Sequence, residues 1–108
     1  MAALQATGTL MLALEIRLNG DLKARCGAEG LDNIVAWMRA TRRFGESDVY
    51  DYRIECTGSR IVDPQTSEFM KWVSALIQLG DEVSLRFVEV PDANAPIDRQ
   101  EYPSPETA

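Results

Sequence analysis

Leu31-Asp32-Asn33-Ile34-Val35-Ala36-Trp37-Met38-Arg39-Ala40-Thr41-Arg42-Arg43-Phe44 is the stretch on which the fold turns. Leu31, Ile34, Val35 and Met38 fall at i, i+3, i+4 and i+7, the spacing of one helical face. Asp32 and Asn33 sit where a helix dipole favours acidic and capping groups. Arg39, Arg42 and Arg43 sit where it favours cations. Gly45 follows, at the position where helices commonly stop. The spacing predicts an amphipathic helix over 31–44.

Upstream of it the period changes to two. Leu12, Leu14, Ile16 and Leu18 alternate with Glu15, Arg17 and Asn19, the pattern of a half-buried strand. Asn19-Gly20 follows, the pair that suits a type I′ turn, and Leu22, Ala24 and Cys26 alternate on the way back. Together they predict a β-hairpin. Residues 1–11 show no period and are read as a frayed extension.

Downstream, Tyr50, Tyr52, Ile54 and Cys56 alternate with Asp51, Arg53 and Glu55 and predict a third strand, ended or bent by Gly58-Ser59. Asp63-Pro64 marks a turn. Over 67–78, Phe69, Trp72, Val73 and Leu76 fit a helix capped by Thr66 or Ser67 and closed by Gly80. A short strand fits the same residues, and the helix is preferred. Val83, Leu85 and Phe87 alternate up to Val88, where apolar residues occupy both faces; this predicts a final, central strand. Residues 91–108 hold four of the five prolines and few apolar groups, so they are read as a disordered acidic tail.

Hairpin, helix, strand, short helix or strand, final strand: this order describes a single α+β domain over 12–90. The phrases Ile16-Arg17-Leu18-Asn19-Gly20 and Gly80-Asp81-Glu82-Val83, running into Ser84-Leu85-Arg86-Phe87, resemble those of the ubiquitin-like β-grasp superfamily. The resemblance implies a mixed sheet whose first and last strands lie parallel at its centre, with the helix crossing one face. It also implies protein binding through the sheet. Conjugating and sulfur-carrying members act through a terminal Gly-Gly. This sequence closes on Pro103-Ser104-Pro105-Glu106-Thr107-Ala108, so a sulfur-carrier-like role ranks last.

Composition narrows the chemistry. The 108 residues are one domain's worth, with 45% hydrophobic and 26% charged residues. A net charge of −6 repels phosphate backbones, so no direct nucleic-acid binding is expected. The absence of histidine removes the commonest general base and metal ligand. Cys26 and Cys56 form no CxxC pair and read as buried, reduced thiols. No apolar run is long enough to span a membrane, and a cytoplasmic location is expected. Asp48, Asp51 and Glu55 match no calcium-loop spacing. No catalytic residue, metal or cofactor is assigned.

Two groups of residues remain as candidates for contact with another protein. The first is Arg39, Arg42 and Arg43 with Trp37 and Phe44, where guanidinium groups beside an aromatic ring make a binding hot spot. The second is the acidic strip Glu46, Asp48, Asp51 and Glu55. Charge is split along the chain: residues 1–43 carry six basic and four acidic groups, residues 44–108 five basic and thirteen acidic. Such a strip steers basic partners. The sequence is therefore read as a small non-enzymatic protein-binding module acting through a sheet or helix face. The alternative is an acidic inhibitor or immunity-type protein that blocks a basic nucleic-acid-binding or nuclease surface.

Overall fold

The computed structural model describes residues 10–45 and 48–103, and they form strands throughout. In chain order these are β1 (Met11–Leu18), β2 (Asp21–Gly27), β3 (Asn33–Arg42), β4 (Tyr50–Asp63), β5 (Thr66–Ile77), β6 (Val83–Val90) and β7 (Asp98–Pro103). They make two antiparallel sheets, β2-β1-β6 and β3-β4-β5-β7. No helix occurs among the described residues, so the architecture is all-β. This overturns the α+β reading and the β-grasp arrangement with it. β6 pairs antiparallel with β1, not parallel, and lies at a sheet edge, not at the centre.

The expected helix over 31–44 is β3. Its residues alternate as well as they spiral: Ile34, Ala36, Met38 and Ala40 share one face, Val35, Trp37, Arg39 and Thr41 the other. β-branched and aromatic residues suit a pleated surface, and an unbroken ten-residue register with β4 fixes the strand. The expected helix over 67–78 is β5, and its misleading pattern has a definite cause. Cys56 lies opposite Val73 but Thr57 lies opposite Lys71, which leaves Trp72 as an extra residue on β5. This bulge turns two neighbours, Trp72 and Val73, into the core together. Adjacent buried residues imitate a helical face, while Phe69 and Leu76 lie on the opposite side of the sheet.

The Asn19-Gly20 hairpin forms as its sequence dictates. Both residues have positive φ, 53° and 88°, as a type I′ turn requires. The Asn19 side chain also donates to Asp81 at 3.0 Å and accepts from the Glu82 backbone at 2.9 Å, tying the hairpin tip to the start of β6.

The core lies between the sheets. Leu14, Ile16, Ala24 and Cys26 from one face meet Ile54, Cys56, Met70, Trp72, Val73 and Ile77 from the other. Gly58 does not end β4; it seats the Trp72 ring. Cys26 and Cys56 are both fully buried and unpaired by any disulfide. The Cys26 thiol donates to Cys56, and that hydrogen bond together with burial pushes its pKa far up. A thiol held protonated in an apolar core is a poor nucleophile.

The stretch read as a disordered tail is ordered as far as Pro103. After β6 the chain crosses the open side of the sandwich. Asn94 bridges to Cys26, its backbone N–H donates to Arg25 O at 2.9 Å, and its side chain accepts from Arg25 N at 2.6 Å. The buried Trp72 indole donates to Asn94 O at 3.0 Å. The Ile97 N–H then donates to Lys71 O at 2.7 Å and β7 zips onto β5. Few apolar groups are needed for this, because an edge strand is held by main-chain hydrogen bonds. The segment meets the free edge of β2 at Arg25 and Cys26 and covers one edge of β5. Residues 1–9 and 104–108 lie outside the described residues.

Two ion clusters complete the picture. Glu15, buried on the outer face of the three-stranded sheet, faces Arg25 at 3.2 Å, Arg86 at 2.9 Å and Arg17 at 3.3 Å. Buried Glu68 faces Arg60 at 2.8 Å and Arg99 at 3.5 Å. In each, arginine stems cover a carboxylate that their charges hold in place.

Candidate functional site

β3 and β4 form an antiparallel hairpin, and residues directly opposite one another share a face. That geometry gathers the arginine–aromatic group on the outer face of the four-stranded sheet. Trp37 lies opposite Glu55, Arg39 opposite Arg53, and Thr41 opposite Asp51; Leu76 on β5 continues the Arg39–Arg53 row. The Arg39 guanidinium lies 5.1 Å from the centre of the half-buried Trp37 ring, a cation–π contact. Beside it Arg39, Thr41, Asp51, Arg53 and Leu76 line a shallow depression of about 340 Å³. Arg53 donates to Ser74 Oγ at 2.9 Å, and Ser74 in turn donates to Glu55 at 2.9 Å.

The other candidates divide around this face. Arg42 turns to the inner side, where it donates to Tyr50 Oη at 3.0 Å and lies 5.6 Å from that ring. Arg43 donates to Asp51 at 2.7 Å. This pairing holds the Asp51 carboxyl below the usual range and raises Arg43. Phe44 stands fully exposed at the hairpin tip, next to Gly45 with φ of 83°. Asp48 is exposed in the same turn. Glu46 lies outside the described residues.

Two carboxylates of the acidic strip have cationic neighbours. Asp51 is paired with Arg43, and Glu55 accepts from Ser74 with Lys71 Nζ 3.9 Å away. What the face offers is a stacked Trp–Arg pair, two further guanidinium groups and the exposed apolar side chains Val35 and Leu76. Among the described residues no cluster of three or more acidic, cysteine or histidine side chains is placed to hold a metal ion.

Sequence reasoning found Trp37 and the arginines but missed Arg53, Leu76 and the strand edge beside them. Read as a helix, 31–44 has no relation to β4 or β5, so nothing connected these positions. The signal was the second periodicity within 34–41.

No known protein family, curated protein or solved structure matches this chain. No helix among the described residues is long and apolar enough to cross a membrane.

Proposed function

We propose that this protein is a small, non-enzymatic binding module that engages another protein through the outer face of the β3–β4–β5 sheet. One observation carries the reading: Trp37, half-buried, with Arg39 stacked on it beside the Arg53–Leu76 depression. Tryptophan and arginine supply much of the energy at protein interfaces when a partner dries them. The alternative, an acidic inhibitor of a basic partner, draws less support, since Asp51 and Glu55 already have cationic neighbours. A cytoplasmic setting goes with this reading and is supported by the two unpaired thiols.

Site-specific photo-crosslinking in the native host tests it. A photoreactive residue at Val35 or Leu76 is expected to give a discrete protein adduct. The same residue at Lys23, on the three-stranded sheet, is expected to give none. Adducts from Lys23 alone, or from no position, would overturn the reading.

A further inference from the structure

The outer face of β3 is only half of what this strand exposes. β3 is also the last strand of its sheet, and among the described residues nothing pairs with its far side. The Arg43 N–H donates to Val49 O across the hairpin. Hydrogen-bonded and non-bonded pairs alternate in an antiparallel ladder. In the observed register, Val35, Trp37, Arg39 and Thr41 therefore spend their main-chain groups on β4. Ile34, Ala36, Met38 and Ala40 direct theirs outward, an open row of donors and acceptors.

Of the other sheet edges, β6 is eight residues long and carries Glu89 as well as Arg86, so it lacks the wholly basic character of β3, and the remaining two are less open. β2 is seven residues long and is blocked at Arg25 and Cys26 by Asn94. β7 is six residues long and ends in proline. β3 is ten residues long, has no bulge against β4, and contains no proline. Long flat edges of this kind accept additional strands.

Charge selects the occupant. Residues 33–45 contain three arginines and no acidic residue, in a chain of net charge −6. Two copies joined edge to edge along β3 would bring six arginines to one seam, and this opposes self-association. The same arginines favour an acidic strand. Arg39 has no carboxylate partner among the described residues, and Arg42 is bonded to a neutral phenol. An added strand would lay alternate side chains beside Trp37 and Arg39 on one face, and beside Met38 and Arg42 on the other.

We infer that the open edge of β3 binds an extended acidic peptide segment of a partner protein by strand addition, with Arg39 and Arg42 reading its carboxylates and Trp37 and Met38 its apolar side chains. This rests on the binding-module reading above and specifies the partner's contact segment.

The test is a two-dimensional amide NMR titration of the full chain. The probe is an acetylated octapeptide of alternating Glu and Val; the controls are the Lys–Val octapeptide and an oligothymidylate. The Glu–Val peptide is expected to shift the Ile34, Ala36, Met38 and Ala40 amides foremost, and to bind at least about tenfold more weakly when salt rises from 50 to 500 mM. The double variant R39E/R42E is expected to weaken it at least about tenfold. Ala40→Pro removes an outward N–H that β4 does not use, so it is expected to keep the spectrum of a folded protein and abolish peptide binding.

No shift at millimolar peptide overturns the inference, as do shifts confined to β6 or β7. Equal binding of the Lys–Val peptide removes the charge argument. Tighter binding of oligothymidylate to the same amides assigns the surface to nucleic acid instead. Binding that appears only after residues 1–9 are deleted makes that segment the natural occupant. Crosslinks from Val35 that survive Ala40→Pro would leave the binding module standing and refute the edge alone.

Discussion

Gly58→Ala is the sharpest test of how the sheet beneath the site is built. A Cβ at this position would lie 2.8 Å from the Asn33 carbonyl oxygen and 2.9 and 3.1 Å from two carbons of the Trp72 ring. Neither neighbour moves easily. Asn33 O belongs to the backbone at the start of β3, and Trp72 is buried with its indole N–H held by Asn94. Forcing a methyl group into a packed core costs about 1–3 kcal/mol, and striking backbone puts this site at the upper end. For a domain of this size that is a fall in Tm of roughly 8–20 °C. Gly20→Ala makes the comparison, since a Cβ there meets nothing within 4 Å and the change acts through φ alone. It is expected to cost about 1 kcal/mol. Thermal and urea unfolding followed by tryptophan fluorescence read both. Trp72→Leu in the Gly58→Ala background should recover part of the loss, a coupling of about 0.5–3 kcal/mol in a double-mutant cycle. Additive effects, or a Gly58→Ala protein within 0.5 kcal/mol of wild type, would show that the ring does not rest on Gly58.

Two further outcomes follow from the tail and from the buried carboxylate. Truncation after Asp92 removes β7 and leaves the Trp72 indole without its acceptor, a buried loss of about 1–3 kcal/mol; a fall in Tm of at least about 5 °C is expected by calorimetry, and an unchanged Tm would show the segment to be loosely held. The Glu15 carboxyl is held below the usual carboxylate range, first by the hydrogen bond from Arg25 and then, against desolvation, by Arg86 and Arg17. Its folded pKa is thus depressed. The stability it contributes is fully present above the unfolded pKa and is lost as pH falls through the folded one. Urea midpoints should therefore hold steady from pH 7 to 5 and drop below about pH 4.5. Glu15→Gln should flatten that acid limb, and an unaltered limb would assign it to other carboxylates.

The first hairpin was legible because one signal, Asn19-Gly20 between alternating runs, had a single structural solution. The third strand was legible from the strict alternation of Tyr50, Tyr52, Ile54 and Cys56 with charged residues, though it runs past Gly58 to Asp63. β3 and β5 were not, and the causes differ. In β3, Val35 and Met38 lie on opposite faces, yet their i, i+3 spacing is also that of a helix, and the choice is made by β4, which is distant information. In β5 the bulge at Trp72 shifts the parity of the strand, and nothing local announces it. The tail was misjudged because apolar content was taken as the measure of order. Main-chain pairing and one asparagine hold it instead. Trp37, Arg39 and Arg43 were singled out on residue type alone. Arg53 and Leu76 join them only through the register.

The pairing of β1 with β6 has a consequence for how the protein comes into being. Met11 lies opposite Val90, so the three-stranded sheet joins residues nearly eighty positions apart, and β7 must arrive later still. Folding dominated by such distant partners is slow. On the ribosome the first hairpin can form early, but neither sheet reaches its full complement of strands until β6, and then β7, has been synthesised. Until then β5 lacks its outer neighbour and the first hairpin lacks β6. The nascent chain therefore displays several unfinished edges at once, and its demand for chaperones should peak just before β6 and β7 emerge.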